Sequence, residues 1–234
     1  MDVKVQSVEN VLGKMRSVAN PKSLEGMSRF GINTKKAYGV SIPNLRTLAK
    51  EIGKNHELAL QLWTSQIHEA RILASMIDDP RMVTEKQMED WVKDFDSWDL
   101  CDQCCGNLFD KTKMASEKVI VWSRREEEYV RRAGYVLMAE LAVHDRDAPN
   151  KEFVEFLSII EGNPIDERNF VKKAVNWAIR QIGKRNQYLN RAAIRTAKRI
   201  QQADSKAARW ISSDALRELT SKKVLEQFRK KSTD

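Results

Sequence analysis

Between Ser97 and Phe109 the chain reads SWDLCDQCCGNLF. As a helix, this stretch has Ser97 at the N-cap and Asp99 in the first turn, where a negative charge suits the positive end of the dipole. Leu100, Cys101, Cys104, Cys105 and Leu108 recur at helical spacing and predict one apolar face. Trp98 and Asp102 stand one turn apart and share another side. Two readings are open. In one, Trp98 covers the edge of the core and Asp102 pairs with a nearby Lys or Arg, a contact worth little at a surface. In the other, a carboxylate beside an indole face serves a ligand that carries or develops positive charge. Cleavage of a glycosidic bond is such a case: a carboxylate stabilises its oxocarbenium-like transition state and orients water. The indole face adds roughly 0.5–2 kcal/mol of attraction for a cation.

Other chemistries have weaker support. The three cysteines all lie within Cys101–Cys105, on one predicted helix face, so they cannot staple a fold. Cys101 and Cys104 form a lone C-x-x-C with no second pair to complete a zinc site, and small packing residues are the expectation. His56, His68 and His144 are scattered, with no spacing that suits a metal or a triad. No glycine-rich phosphate loop is present. Neither metal nor cofactor is expected.

The surrounding pattern is helical throughout. Nine Gly and five Pro in 234 residues, with 32% charged side chains and little strand-like alternation, predict an all-α chain. A first helix is expected over residues 3–18, on Val3, Val8, Val11, Leu12 and Met15, ended by Asn20-Pro21. A loop-rich segment punctuated by Gly26, Gly31 and Gly39 follows. Pro43 then opens a helix that runs to about Ile52, with Gly53 as its cap.

From there the chain falls into helix pairs: Glu57–Trp63 with His68–Ile77, Glu85–Phe95 with Trp98–Phe109, and Met114–Ser123 with Glu126–Val143. Lys151–Ile160 pairs with Glu167–Gly183 and Tyr188–Gln202 with Lys206–Leu219, before a short last helix near Val224–Phe228. Trp63, Trp91 and Trp122 fall on first helices and are expected in the core.

A period of roughly 30–40 residues suggests stacked hairpins of the HEAT type. The expected architecture is a right-handed α-solenoid: one curved domain over residues 1–234, with 225–234 as a frayed tail. Each second helix begins with bases, at Arg71, Arg131 and Arg132, Lys172 and Lys173, and Arg209. With a net charge of +8, this predicts a basic concave groove suited to a polyanion, interrupted by Asp102. The positions match in height along the helices without being strictly equivalent. No helix resembles a base-reading element, so backbone and shape recognition are expected. Lys35, Lys36 and Tyr38 sit in a loop that either touches phosphate or forms an ordinary charged turn. No apolar run is long enough for a membrane span, the opening lacks one altogether, and a reducing cytoplasm is the expected compartment.

These residues resemble the DNA alkylation repair family of HEAT-like glycosylases, from about Met27 to the last repeats. That family carries Trp, Asp, two residues, Asp, and Trp98-Asp99-Leu100-Cys101-Asp102 matches it. The family's groove arginine resembles Arg132 in EYVRRAGYVL, and its second tryptophan resembles Trp177 in FVKKAVNWAIRQIGK. The resemblance implies hydrolysis of the N-glycosidic bond of cationic N3- or N7-alkylated purines in duplex DNA. It casts Asp102 as the catalytic carboxylate, Trp98 and Trp177 as packing on deoxyribose and backbone, and Arg132 as holding a phosphate. It also implies that a deep pocket for a flipped base is absent, and a monomer is expected. Lys173, Arg71 and Tyr38 join the candidates for DNA contact. The chain departs from the family around Gly26-Met27-Ser28, which offers no aromatic; the longer loop GINTKKAYGVS places Tyr38 as a substitute or as structure only. Two other functions share the fold: a DNA-structure binder without catalysis, and a scaffold for protein partners.

Overall fold

Side-chain caps set the start of many helices. The computed structural model describes residues 7–231, with side chains through residue 229. Among them are fourteen α-helices, one 3-10 turn and no strand. Ser7, Ser41, Asn55, Thr84, Asn186 and Ser205 each accept a hydrogen bond from a first-turn amide of the helix they precede.

The chain, read from sequence as one repeat domain, divides into two compact units that meet in sequence at Thr112 and Lys113. The first holds α1 (Val8–Ser17), α2 (Pro21–Arg29), α3 (Ile42–Ile52), α4 (His56–Thr64), α5 (His68–Ile77), α6 (Glu85–Lys93), α7 (Trp98–Asn107) and the 3-10 turn Phe109–Lys111. Helices α3, α5 and α7 pack side by side, while α4 backs α5 and touches α1. Trp63 of α4 stacks on Trp91 of α6, with ring centroids 3.8 Å apart and planes within 4°. Phe95 and Phe109 close around them.

The second unit holds α8 (Ala115–Trp122), α9 (Glu128–His144), α10 (Asn150–Gly162), α11 (Asn169–Arg185), α12 (Gln187–Ile200), α13 (Lys206–Leu219) and α14 (Lys222–Lys231). First helices α8, α10 and α12 form one layer and second helices α9, α11 and α13 the other. Trp122 is fully buried between them. The layers approach closely at Gly134, where a Cβ would lie 2.4 Å from the Ser123 backbone nitrogen. No described helix is long and apolar enough to cross a membrane.

The expected helix pairs form, with ends shifted by a few residues. The loop-rich reading of the segment after Asn20 is corrected. Pro21 opens α2, capped by the Asn20 side chain, because proline at the first helical position loses no hydrogen bond. Val3 lies outside the described residues, and α1 starts at Val8. The tail expected to fray from residue 225 is helical to Lys231; residues 232–234 lie outside the description.

Candidate nucleic-acid interface

In the first unit, α7 carries the Trp-Asp-x-x-Asp segment. Leu100, Cys101, Cys104 and Cys105 are buried on its inner face, and burial pushes the Cys104 and Cys105 thiols well above their ordinary range. Trp98 and Asp102 lie on its partly exposed side. Ser97 occupies the N-cap position, but its side chain accepts no bond from α7.

Two contacts hold the start of α7 in place. The Trp98 Nε1 donates to the Phe30 carbonyl at 2.9 Å. One residue on, Asp99 Oδ2 meets His68 Nε2 at 2.9 Å, which ties the first turn of α7 to the first turn of α5. Burial pulls the His68 pKa down. The Asp99 hydrogen bond and the charges of Asp99, Glu69 and Asp96 outweigh that effect, and the pKa ends raised. Two of the scattered histidines meet acids: His68 joins Asp99, and His56 joins Asp78 at 2.6 Å.

The other candidates of this unit are tightly engaged. Arg71 lies against the Trp63 ring, 5.2 Å from its centroid. It donates to the Trp63 carbonyl at 3.3 Å and to the carboxylate and carbonyl of Asp94 at 3.0 and 3.2 Å. A base expected to face phosphate thus also serves as a clamp between α5 and the end of α6. Tyr38 donates its amide to buried Glu69, which also accepts from the amides of Gly39 and Val40. The Tyr38 hydroxyl accepts from Arg16 Nε at 3.2 Å, so packing accounts for much of Tyr38.

In the second unit, Arg132 is only 5% exposed, and its Nη1 donates to the Phe170 carbonyl. Lys173 is exposed, and Trp177, one turn further along α11, is partly exposed. The bases beyond them are paired: Arg180 and Lys184 meet Glu218 at 2.8 and 2.7 Å. The second helices α5, α7, α9 and α11 all begin without a side-chain cap bond. Uncapped first-turn amides are a ready set of donors for phosphate oxygens.

Two aromatics escaped the sequence reading. Phe30 is 72% exposed just past α2, beside the backbone carbonyl that receives Trp98. Trp210 of α13 is 40% exposed, with Lys172 Nζ 5.6 Å from its ring centroid. The signal for Phe30 lay in GMSRF, two residues beyond the Gly26-Met27-Ser28 stretch. The signal for Trp210 was its place near the start of a second helix.

A family model described as DNA alkylation repair enzyme matches residues 11–219. The chain belongs to this family. No curated protein matches it. A solved structure aligns with a TM-score of 0.76 and 18% identity, covering 91% of this chain and 96% of that one. It comes from a family described as related to the HEAT-like repeat DNA glycosylases and as having affinity for branched DNA structures. At that identity the likeness establishes the fold. The stacked hairpins of this DNA alkylation repair protein are HEAT-like repeats.

Proposed function

We propose that this DNA alkylation repair protein binds duplex DNA as a monomer and hydrolyses the N-glycosidic bond of cationic N3- or N7-alkylated purines. The carrying observation is the pair Trp98 and Asp102, one turn apart on the partly exposed side of α7, with its first turn held by the Phe30 carbonyl and His68. An alkylated purine already bears positive charge and leaves as a neutral base when the glycosidic bond breaks, so no strong acid is needed. Positive charge then passes to the deoxyribose. Asp102 stabilises that oxocarbenium-like centre and orients the water that attacks C1′. The attacking water loses its proton to the carboxylate or to solvent, leaving an abasic sugar and the free base. Trp98 and Trp177 pack against deoxyribose and backbone, Lys173 neutralises a phosphate, and Arg132 fixes the backbone near it. The reading places the protein in the cytoplasm, where its three cysteine thiols stay reduced.

Release of 7-methylguanine from methylated duplex DNA tests the proposal. Asp102→Asn keeps the shape and removes the charge. It should lower release by about a hundredfold or more while leaving duplex affinity within a few-fold. Equal release by both proteins overturns the catalytic role.

A second reading, a binder of DNA structure without catalysis, draws support from the solved relative described as having affinity for branched DNA. It predicts tighter binding to a four-way junction than to linear duplex, with no base released.

A further inference from the structure

The first unit contains a cavity of about 310 Å³ that the glycosidic step does not use. This is at the small end of ligand pockets, which span roughly 300–1,000 Å³. Lys35, Lys36, His68 and Arg71 line it, together with Asn33, Gln66, Asp96 and Leu100. His68 is the first residue of α5, and Leu100 stands in the first turn of α7. Both helices begin at this end of the unit without a side-chain cap bond, although the His68 amide donates to the Lys36 carbonyl at 2.8 Å, so two positive helix ends face the same region.

Three further observations point to an oxyanion. First, His68 is 95% buried by its 5% exposure, one nitrogen is engaged by Asp99, and its Nδ1 has no hydrogen-bond partner. Asp99 and the neighbouring acids favour the protonated ring, and in that form Nδ1 is a donor without an acceptor. An orphan buried donor of this kind is costly unless a ligand or water meets it. Second, the cavity wall includes Gln66, the only non-glycine residue with positive φ among the described residues, at 60°. Such strain concentrates where a site needs it. Third, the nearby acids are already occupied. Asp94 holds Arg71, Asp96 accepts from Asn33 at 2.7 Å, Asp99 holds His68, and Glu69 accepts from the 38–40 amides. Lys35 forms no ion pair among the described residues, and Lys36 reaches only the neutral Gln66 amide.

We propose that this cavity between the starts of α5 and α7 is a phosphate-binding site that takes one phosphate group of the nucleic acid bound by the protein. The proposal rests on the nucleic-acid reading above but not on catalysis. Lys35, Lys36 and His68 on the cavity wall place the phosphate. Two sources share this chemistry: an internal phosphodiester and a terminal phosphate at a nick or strand end.

The test follows the His68 imidazole signals of the full-length protein by nuclear magnetic resonance at constant ionic strength. Inorganic phosphate should shift them saturably. In Lys35→Ser/Lys36→Ser, whose backbone contacts are retained, the apparent affinity should fall about tenfold. An intact duplex that shifts the same signals assigns the site to an internal diester. A shift only with a 5′-phosphorylated nicked duplex, and not with its 5′-hydroxyl counterpart, assigns it to a strand end. Unmoved His68 signals with phosphate and with every DNA, or an equal shift in the double variant, overturn the site. Release of methylated base is measured on the same samples, so loss of this site and loss of the glycosylase reading are seen separately.

Discussion

The Trp98 indole nitrogen donates to the Phe30 carbonyl across 2.9 Å, which joins the end of α2 to the start of α7. The bond leaves the Phe30 side chain 72% exposed. An aromatic that open gains nothing from the core, and the proposed binding of nucleic acid supplies a use for it. Phe30→Ala should leave the stability within about 0.5 kcal/mol of wild type. Duplex affinity should fall about tenfold, as expected for one lost aromatic contact of roughly 1–3 kcal/mol. Trp98→Phe should behave differently, keeping a ring but losing a hydrogen bond worth about 1 kcal/mol of stability. Denaturant melts and fluorescence anisotropy read both effects, and an unchanged affinity in Phe30→Ala would remove Phe30 from the interface.

The His68–Asp99 pair makes stability depend on pH in a defined direction. His68 has a folded pKa raised above 6.5. A group with a raised folded pKa binds its proton more tightly when folded, so its contribution is complete below the unfolded value and fades as pH climbs through the folded value. Urea unfolding should therefore show stability declining from about pH 6.5 upward. In Asp99→Asn the decline should flatten, since its main source is removed. A wild-type curve that rises over that interval would refute the assignment.

Much of this was legible in sequence, and the gaps have a common cause. Periodicity located the helices because each carries an apolar stripe of its own, as with Leu100, Cys101, Cys104 and Cys105 on α7. The Trp98–Asp102 side of that helix was legible for the same reason. The His68–Asp99 bond spans 31 residues, and so does the contact of Trp63 Nε1 with Asp94. Such pairings arise only when hairpins stack, and no single-helix pattern encodes them. Helix α2 was obscured by Gly26 and Gly31, although Asn20-Pro21 is a competent helix start. Arg71 looked like a groove base because its spacing within the repeat was right, while the acid that claims it lies on the following hairpin.

Arg185, at the end of α11, is a structural fastener. It donates to the carbonyls of Ala142, Asp145, Arg146 and Ala148, at the end of α9 and in the turn beyond it. Its guanidinium also lies 4.2 Å from the Phe153 ring centroid. A cation there suits the negative end of α9. Arg185→Ala should cost about 2–4 kcal/mol, and Arg185→Lys should recover only part of that, because an ammonium lacks the forked donors that reach four carbonyls. Thermal melts of both variants measure it; a midpoint unchanged by Arg185→Ala would show that solvent satisfies those carbonyls equally well.

Lys173 and Arg71 occupy comparable places near the starts of second helices, yet their substitutions should have opposite signatures. Lys173 is exposed and forms no ion pair among the described residues. Its removal should leave stability within about 0.5 kcal/mol of wild type. If it meets a phosphate, the slope of log affinity against log salt should become shallower by about 0.9. Arg71 holds Asp94 and covers Trp63, with its side chain only 11% exposed. Arg71→Ala should destabilise the fold by about 1–3 kcal/mol through the lost cation–π contact and hydrogen bonds. Its salt slope should change less than that of Lys173→Ala, because most of its donors are held by protein acceptors. Salt-dependent duplex titrations and urea melts on the two variants decide the matter. A larger slope change for Arg71→Ala, with no loss of stability, would mean that Arg71 leaves Asp94 for a phosphate when DNA binds.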